Sequence, residues 1–442
     1  MLLAADGFRL GGDRGRDRAS RRLSAARAPL RHRALAGALA LAAALVGAGA
    51  ARADVEPDEH GQVAVLPAQP GSHWVWVPDR VLRHAQLFDG DTGTMLGTLD
   101  GTAGNLSGPA PLFSPKRGEI YVVDPVYARG HRGERKDYVV IYDAVTLAVR
   151  GEVEIPPRSA SIGHGYQLAA VLDDERFLVV FNQDPANSVS VVDLETRRFV
   201  EEIVIGGCAL VYPTGGSQFG TLCGNGTAIE VELDASGHKQ RATRSETFFD
   251  TVRDPLTEKG VRDGARWLFA SFEGRLQAVD FSAEQPVAAP AWPLFTDAER
   301  GARWRIGGMQ HLAFHRGTQR LYALVHQGGP GSHKDPGSAI WVYDVARRQR
   351  VQDIAVPGLL PAFARPILEL PRGGWGEWLL RQVSPNPGAH SIAVTQDAHP
   401  LLFVRHGEIG ALGVVDALSG ALVREIDEIG ISGPTLLVPP GP

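Results

Sequence analysis

The chain has 442 residues, with 52 glycines and 30 prolines, and carries a net charge of −5 at neutral pH. It has no long amphipathic helix pattern, which argues against an all-α fold, and its composition fits one large β domain better than two or three ordinary domains. No G-x-S-x-G motif, P-loop or strand-to-helix G-x-G-x-x-G motif occurs in it, so no common nucleophile or phosphate-binding motif marks a catalytic site.

The N-terminus differs in kind from the rest of the chain. Residues 1–33 are rich in arginine, residues 34–50 are small and apolar, and Ala51-Arg52-Ala53 offers an A-x-A cleavage site before Asp54. The apolar run is about 17 residues of mostly alanine and glycine, which favours cleavage and release over a retained membrane anchor. We therefore predict an export signal over residues 1–53, with the general secretory and twin-arginine routes both open.

Removal of this signal makes the protein more acidic. It takes away ten basic and three acidic residues and leaves 35 basic and 47 acidic residues, a net charge of −12. An acidic surface repels nucleic acid and anionic lipid, and no basic stripe offsets it. We therefore expect neither nucleic acid binding nor a stable membrane span.

A two-strand unit with a central aspartate recurs along the mature chain. In residues 338–358, SAIWVYDVARRQRVQDIAVPG, apolar alternation on both sides of an aspartate indicates two antiparallel strands joined by a tight turn. The aspartates of the seven units are 54, 50, 41, 46, 64 and 72 residues apart, at or above the roughly 40 to 50 residues of a four-stranded propeller blade. These aspartates are Asp89, Asp143, Asp193, Asp234, Asp280, Asp344 and Asp416.

A further β-rich run precedes each unit, so each repeat supplies enough strands for one blade. We therefore predict an all-β fold, a seven-bladed β-propeller of four-stranded antiparallel blades, formed by residues 54–442 as a single domain. Each aspartate is expected to accept hydrogen bonds from backbone N–H groups two residues on in its turn. The apolar run at residues 63–66 is expected to pair with the last blade and close the ring.

The two cysteines of the chain, Cys208 and Cys223, lie 15 residues apart at the start and end of neighbouring β-rich runs. A hairpin-like return can bring them together, and export places them in an oxidising compartment. We therefore predict a disulfide bond, with two buried thiols as the alternative. No C-x-x-C-H motif is present, so covalent haem is not expected.

Two segments outside the strands carry unusual composition. Residues 129–137, RGHRGERKD, contain five cationic or potentially cationic side chains, which is typical of a solvated loop or of a docking surface for another subunit. Residues 361–387 interrupt the repeat rhythm and are predicted to form an insertion or lid-like loop, with Trp375 and Trp378 as candidate contact residues.

Four histidines lie close together in the sequence, which raises the hypothesis of a metal site. They are His311, His315, His326 and His333. Neither an H-x-H nor an H-E-x-x-H spacing occurs among them, and side chains on a strand alternate between its two faces. The sequence therefore predicts no metal site.

Several segments match one family in a single order along the chain. They are RGERKDYVVIYD (132–143), DPANSVSVVD (184–193), GCALVYP and LCGNG around the two cysteines, RWRIGGMQHLAFHR (303–316) and GSHKDPGSAIWVYD (331–344). Together they resemble the heavy chain of the quinoprotein amine dehydrogenases, that is, the methylamine and aromatic amine dehydrogenases. The likeness extends, with gaps, from about residue 60 to residue 430, and an ordered series of matches is more specific than any single motif.

The resemblance implies a periplasmic α2β2 complex that oxidises primary amines to aldehyde and ammonia and passes the electrons to a small blue-copper protein. In this family the tryptophan tryptophylquinone cofactor and the catalytic aspartate belong to a small, cysteine-rich light chain. The resemblance therefore implies that this chain holds no cofactor, metal or catalytic residue and serves as scaffold and channel wall. It makes Arg132, Arg135, Asp137, His333 and Lys334 the candidate light-chain interface.

Two departures from the family pattern bear on this expectation. The family carries a phenylalanine that lines the substrate channel shortly before the aspartate of the first blade, whereas residues 77–89, VPDRVLRHAQLFD, are shortened and place none at the matching position. The insertion at residues 361–387 is absent from the family pattern. We therefore assign no particular amine.

Two other classes of function stay open on the sequence. A stand-alone periplasmic propeller would act by binding or as a scaffold, without redox chemistry and without a light chain. A propeller hydrolase or lactonase would need metal ligands from several inner strands to converge on the ring axis, and a sequence does not show convergence.

Overall fold

Residues 63–442 form one compact unit of the computed structural model, and the fold below is that of this unit. The predicted export signal and nearly all of the predicted insertion lie outside the residues that the structure describes. The described residues are 65–102, 110–160, 166–359, 387–406, 410–427, 429–430 and 436.

These residues form seven antiparallel sheets, each built from strands that are consecutive in the chain. The first sheet contains β1 (Trp74–Asp79), β2 (His84–Asp89) and β3 (Met95–Asp100). The second contains β4 (Leu112–Ser114), β5 (Glu119–Tyr127), β6 (Arg135–Asp143) and β7 (Val149–Ile155). The third contains β8 (Ala169–Val171), β9 (Phe177–Asn182), β10 (Ser188–Asp193) and β11 (Arg198–Val204). The fourth contains β12 (Cys208–Gly215), β13 (Gln218–Cys223), β14 (Ala228–Leu233) and β15 (Lys239–Arg244).

The remaining sheets follow the same plan. The fifth contains β16 (Val261–Asp263), β17 (Arg266–Ala270), β18 (Arg275–Asp280), β19 (Val287–Ala288) and β20 (Trp292–Pro293). The sixth contains β21 (Trp304–Ile306), β22 (Leu312–His315), β23 (Arg320–Gln327), β24 (Ala339–Asp344) and β25 (Gln349–Ala355). The seventh contains β26 (Ser391–Val394), β27 (Leu401–Arg405), β28 (Ala411–Asp416) and β29 (Leu422–Asp427).

The arrangement is the predicted seven-bladed β-propeller, and most sheets have the predicted four strands. Over the described residues, the first sheet has three strands, and the fifth and sixth have five. The fifth strand arises because β19 and β20 pair with successive parts of β18, and β21 and β22 pair with successive parts of β23. All four short strands lie between Asp280 and Asp344, the interval of 64 residues.

Helix is almost absent from the described part of the chain, which contains α1 (Asp297–Gly301) and a 3-10 turn (Tyr166–Leu168). A capping box holds the first turn of α1. The Thr296 hydroxyl accepts from the Glu299 N–H, and the Glu299 carboxylate accepts from the Thr296 N–H at 2.8 Å.

The turn role of the seven aspartates is confirmed. Each aspartate ends or directly follows the strand that leads into its turn, which is β2, β6, β10, β14, β18, β24 or β28, and one carboxylate oxygen accepts a backbone N–H of that turn. In five of the seven turns the donor lies two residues on, as predicted, and for Asp344 and Asp416 it lies three residues on. A short carboxylate therefore closes every hairpin at the same point of the repeat.

The predicted pairing of residues 63–66 with the last blade is wrong for Leu66, the buried member of that run in the described part of the chain. The Leu66 N–H donates to the Val145 carbonyl at 2.8 Å, so the residue packs beside the second sheet. Side chains instead join the two ends of the ring. Val75 and Val77 of the first sheet share an apolar cluster with Phe403 of the seventh, which hides apolar surface where these two sheets meet.

The antiparallel order gives the ring two different faces. The turns that begin at the seven aspartates lie on one face, here named the Asp-turn face. The connections that lead into the strands before these turns (into β2, β6, β10, β14, β18, β24 and β28), and those between successive sheets, lie on the opposite face, named the loop face. The residues 129–137 and 331–334 that the sequence singled out both fall on the loop face.

Candidate docking site on the loop face

The basic segment lies in the connection between β5 and β6. A tight turn closes it, in which the Arg129 N–H donates to the Arg132 carbonyl at 2.9 Å. The Arg132 side chain is exposed and forms no ion pair with any described residue. The turn therefore presents this guanidinium to solvent at the outer part of the loop face.

Arg135 and Asp137 form a buried, two-point ion pair beneath that turn. Arg135 Nε and Nη2 donate to the two Asp137 oxygens, each at 2.7 Å, and Nη2 also donates to the Ser159 carbonyl at 2.6 Å. The Ser159 N–H donates to Asp137 Oδ2 at 2.7 Å. Burial lowers the pKa of Arg135, but the hydrogen bond and charge of Asp137 outweigh it and leave this pKa raised.

The role of this ion pair is to join two parts of the chain, since its charges neutralise each other. Asp137 is fully buried, and its partners come from β6 and from the segment that leads to the third sheet. The two residues hold the basic turn on the second sheet.

His333 and Lys334 lie across the ring, in the connection between β23 and β24. The His333 ring stacks on Phe272 with ring centroids 3.9 Å apart, and Lys334 is exposed. His326 and Ser332 hold this loop, with His326 Nε2 and Ser332 Oγ 2.9 Å apart. Burial, followed by the nearby Lys259, lowers the pKa of His333, so the stacked ring is neutral at neutral pH.

A buried lysine lies beside this stack, in the connection between the fourth and fifth sheets. Lys259 is 3% exposed, and its Nζ lies 3.3 Å from the Glu258 carboxylate, which is half exposed. Burial, together with the Lys259 charge, lowers the pKa of the nearby His311 to about 3. Because His311 Nδ1 faces the Gly308 carbonyl, this neutral ring donates there and accepts from the Thr257 hydroxyl at 2.9 Å.

The structure therefore places the five candidate interface residues on one face but not in one cluster. Arg132, Arg135 and Asp137 belong to the second sheet, and His333 and Lys334 to the sixth. The first and seventh sheets lie between these two groups around the ring. A partner that contacts both groups has to cover a large part of the loop face.

Two exposed aliphatic side chains lie between the groups. Val81 and Leu82, in the turn between β1 and β2, are 58% and 56% exposed. The buried Asp79 carboxylate accepts from both of their N–H groups at 2.8 Å, which fixes the turn and directs the two side chains outward. Both residues belong to the shortened 77–89 segment. Their exposure could not be predicted from the sequence.

The predicted disulfide is present, and it also lies at the loop face. Cys208 begins β12 and Cys223 ends β13, so the two residues are direct partners across this strand pair. Their sulfurs are bonded, and both residues are buried. The bond ties the innermost strand of the fourth sheet to its neighbour at the edge where the chain enters the sheet.

The four clustered histidines occupy separate sites. His311, His326 and His333 belong to the loop face, whereas His315 lies at the Asp-turn end of β22 and contacts the Thr318 hydroxyl and the Asp397 carbonyl. No group of three His, Cys, Asp or Glu side chains within the described ranges is arranged to hold a metal ion. The same ranges contain no helix with both the length and the apolar character needed to cross a membrane.

Lys259 and the Val81–Leu82 pair are the features that sequence reasoning missed. A Glu-Lys pair in a linker and two aliphatics in a polar turn are common on any protein surface, so neither pattern is a signal by itself. Their meaning depends on burial and on the face that they share. Both depend on how sheets distant in sequence meet.

The fold and the cross-strand bond define a disulfide-bonded, seven-bladed β-propeller. A model of the family described as "Methylamine dehydrogenase heavy chain (MADH)" matches residues 74–358, well over half of the chain. The chain therefore belongs to the methylamine dehydrogenase heavy chain family. Membership supports its assignment as the heavy subunit of an amine dehydrogenase, and a heavy chain of this family implies a light-chain partner.

Similar proteins agree with this assignment over most of their length. The methylamine dehydrogenase heavy chain of Methylophilus methylotrophus is 26% identical over 90% of this chain and 93% of its own. That of Methylorubrum extorquens is 27% identical over 88% of each chain, and that of Paracoccus versutus is 28% identical over 79% of this chain and 74% of its own. A protein of unknown function from Desulfotomaculum acetoxidans shares the fold, with a TM-score of 0.52 and 14% identity over 84% of this chain and all of that one.

Proposed function

We propose that this chain is the heavy subunit of a periplasmic quinoprotein amine dehydrogenase, in which its loop face docks a cofactor-bearing light chain. The complex is an α2β2 heterotetramer that oxidises a primary amine to an aldehyde and ammonia. A tryptophan tryptophylquinone in the light chain accepts the electrons, and a small blue-copper protein receives them from it. The family match over residues 74–358 carries this proposal.

The loop face has the chemistry of a docking surface. An exposed aliphatic pair, Val81 and Leu82, lies between the exposed cations of the second and sixth sheets. Apolar groups near the centre and charged groups at the rim are the usual division of an interface, because the centre loses water on binding and the rim does not. In this proposal Arg132 and Lys334 contact acidic groups of the light chain at the rim.

The buried groups beneath this surface act as its support. The Arg135–Asp137 pair holds the basic turn, and the stack on Phe272 holds His333. Each support is locked by hydrogen bonds or ring packing before a partner arrives, so docking orders few additional side chains. The export signal predicted over residues 1–53 is consistent with a periplasmic location.

Isolation of the chain from its native periplasm tests the proposal directly. We expect a small, cysteine-rich chain to co-elute in equal number, and we expect a visible absorbance band of a quinone on that small chain. Addition of a primary amine should bleach the band. Elution of the propeller alone, with no coloured partner, would contradict the proposal.

Two matched variants test the docking face. Leu82→Asp places a charge at the proposed apolar centre and should weaken light-chain binding by about tenfold or more. Val149→Asp is the control, because Val149 is 62% exposed but begins β7 at the Asp-turn face. Binding is measured by titration with purified light chain. Equal affinities of the two variants would show that Leu82 lies outside the docking site.

A stand-alone binding propeller is the second candidate, and a cavity along the ring axis favours it. The shortened 77–89 segment, which lacks the channel phenylalanine of the family, points the same way. In that case the purified chain should bind a small ligand without any light chain and show no amine-dependent reduction of a dye acceptor.

A further inference from the structure

The first strands of the sheets surround a cavity of about 390 Å³ along the ring axis. Residues of six sheets line it within the described part of the chain, and most of them are of apolar type, as Leu112, Ala170, Val211, Ala313 and Ile392 illustrate. Apolar walls hold water poorly, and a concave apolar space of a few hundred Å³ with a few polar groups is the usual form of a small-molecule site.

One polar group in the wall has an unused hydrogen-bonding atom. Gln167 is 2% exposed, and its Nε2 donates to the Gly260 carbonyl at 3.1 Å. No donor among the described residues reaches its Oε1. A buried acceptor without a donor is unfavourable, so a molecule in the cavity that brings an N–H or O–H group would remove this cost.

A second glutamine in the wall, in contrast, has a partner for its acceptor oxygen. Gln310 lies at the same level, just before its own innermost strand, and is also buried. Its Nε2 donates to the carbonyls of Ile392 and Leu436 at 2.9 Å each, and its Oε1 accepts from the Leu436 N–H at 2.9 Å. The loop-face end of the cavity thus has one saturated amide and one amide with an open acceptor.

The opposite end of the cavity carries a guanidinium without a carboxylate partner. Arg316 follows β22, so it lies at the Asp-turn mouth, and it contacts Gln396 Oε1 at 3.4 Å. No described carboxylate pairs with it, whereas the neighbouring Arg262 is neutralised by Asp173. The mouth therefore has an excess of positive charge that favours an anionic group.

We propose that this axial cavity binds a small organic acid with an apolar, ring-sized body, an N–H or O–H donor that meets Gln167 Oε1, and a carboxylate near Arg316. Donor and acid are separated by the apolar body, as the walls between Gln167 and Arg316 require. This site is distinct from the loop-face docking surface and does not depend on a light chain.

Calorimetric titration of the purified protein with indole-3-butyrate tests the site, because that acid combines a ring N–H, an apolar body and a carboxylate. We expect saturable binding of one molecule per chain. The N-methyl derivative of the same acid lacks the donor and should bind about tenfold more weakly, the value of one hydrogen bond to a buried acceptor. If the parent protein shows no saturable binding, or binds the two acids with equal affinity, the proposal is overturned.

Three variants locate the site on the chain. Gln167→Leu should make the affinities for the two acids equal, and Ala313→Leu should fill the cavity and abolish binding of both. Arg316→Gln should weaken both acids severalfold at low salt. Arg347→Gln is the control, since Arg347 is 75% exposed in an Asp-turn beside Asp344 and should bind like the parent. Retained N–H preference in Gln167→Leu would exclude this orientation of the ligand.

Discussion

Asp137 was a candidate interface residue, but its carboxylate instead supports the basic turn from below. Its carboxylate is fully buried and accepts three hydrogen bonds, two from the Arg135 guanidinium and one from the Ser159 N–H. Removing a charge from water is unfavourable unless hydrogen bonds replace the lost hydration. The two-point geometry with Arg135 supplies that replacement.

Asp137→Asn tests this support. Loss of the carboxylate charge leaves the mostly buried Arg135 without its counter-ion, and we expect the free energy of unfolding to fall by about 3 kcal/mol, measured by urea denaturation. Glu154→Gln is the control. Its ion pair with Lys136 is exposed on both sides, so the urea midpoint should not change measurably.

His73 is a second residue whose role depends on distant partners. Its Nδ1 lies 2.7 Å from Asp91 Oδ1, and its Nε2 lies 3.1 Å from Asp397 Oδ2, so one ring bridges the first and seventh sheets. A ring can donate at both nitrogens when it is protonated. Burial lowers the pKa of His73, but the two carboxylates outweigh burial and leave it above 6.5.

The bridge makes stability depend on pH in a defined direction. Because the pKa is higher in the folded protein than in the unfolded chain, the contribution is complete below about pH 6.5 and is lost as the pH rises through the folded value. We therefore expect the urea midpoint to fall as the pH rises above about 6.5, and to fall less in His73→Gln. His238→Gln, which removes an exposed His–Glu201 contact, should keep the parent's pH dependence.

At the scale of the element, the strand pair β12–β13 combines a disulfide with irregular register. Cys208 and Cys223 face each other at its loop-face end, but the register shifts twice further along, between Ala209 and Tyr212 and between Pro213 and Gly215. Each shift leaves backbone groups out of the ladder. The covalent bond therefore secures a pairing that hydrogen bonds alone hold less regularly.

The double variant Cys208→Ser, Cys223→Ser measures this contribution. In the chain-entropy account a bond that closes a loop of 15 residues stabilises by about 3 kcal/mol, and we expect a loss of that size in denaturant unfolding. Treatment of the parent protein with a reductant should give the same loss and should leave the double variant unchanged. An effect of the reductant on the variant would exclude the disulfide as its target.

At the scale of the whole molecule, the ring closes where the first and seventh sheets meet. Arg405, at the end of β27, is 1% exposed and donates to the Pro78 carbonyl at 2.8 Å. Burial lowers the pKa of Arg405 to about 10, and the charge of the buried Asp79 opposes that shift. The contact also fixes the turn that carries Val81 and Leu82, because Asp79 accepts from their N–H groups.

Arg405→Met tests the closure. It leaves the Asp79 charge buried without this cation, so we expect the free energy of unfolding to fall by about 3 to 5 kcal/mol. Light-chain binding should weaken as well, because the turn with Leu82 loses its anchor. Arg347→Met, at an exposed position, should change neither quantity, and a parent-like Arg405→Met protein would show that apolar packing alone closes the ring.

Much of the fold could be predicted because it is local and repeated. Alternation on both sides of Asp344 and its six equivalents reports the strand period, and the short carboxylate reports the turn. The cysteine pair was accessible for the same reason, since residues 15 apart in one hairpin must meet. The predicted pairing of the 63–66 run with the last blade was wrong for Leu66, because the partner of an isolated apolar run depends on long-range packing.

The candidate site was predictable only in part. Sequence resemblance selected the two segments of the loop face, but not the burial of Asp137 or the stack of His333 on Phe272. Lys259 and Gln167 gave no signal, because their roles come from His311 and Gly260, which lie 52 and 93 residues away in the sequence. No local pattern records such contacts.

The sequence by itself determined the number of sheets, the turn that closes each one, the disulfide and the family, because period, turn chemistry and ordered motifs all act over a few tens of residues. Only the tertiary structure decided which charges are buried as supports and which face solvent, where the ring closes, and that one acceptor in the wall of the axial cavity has no donor among the described residues. These depend on which distant sheets become neighbours, and the free energy of burial is set by that neighbourhood.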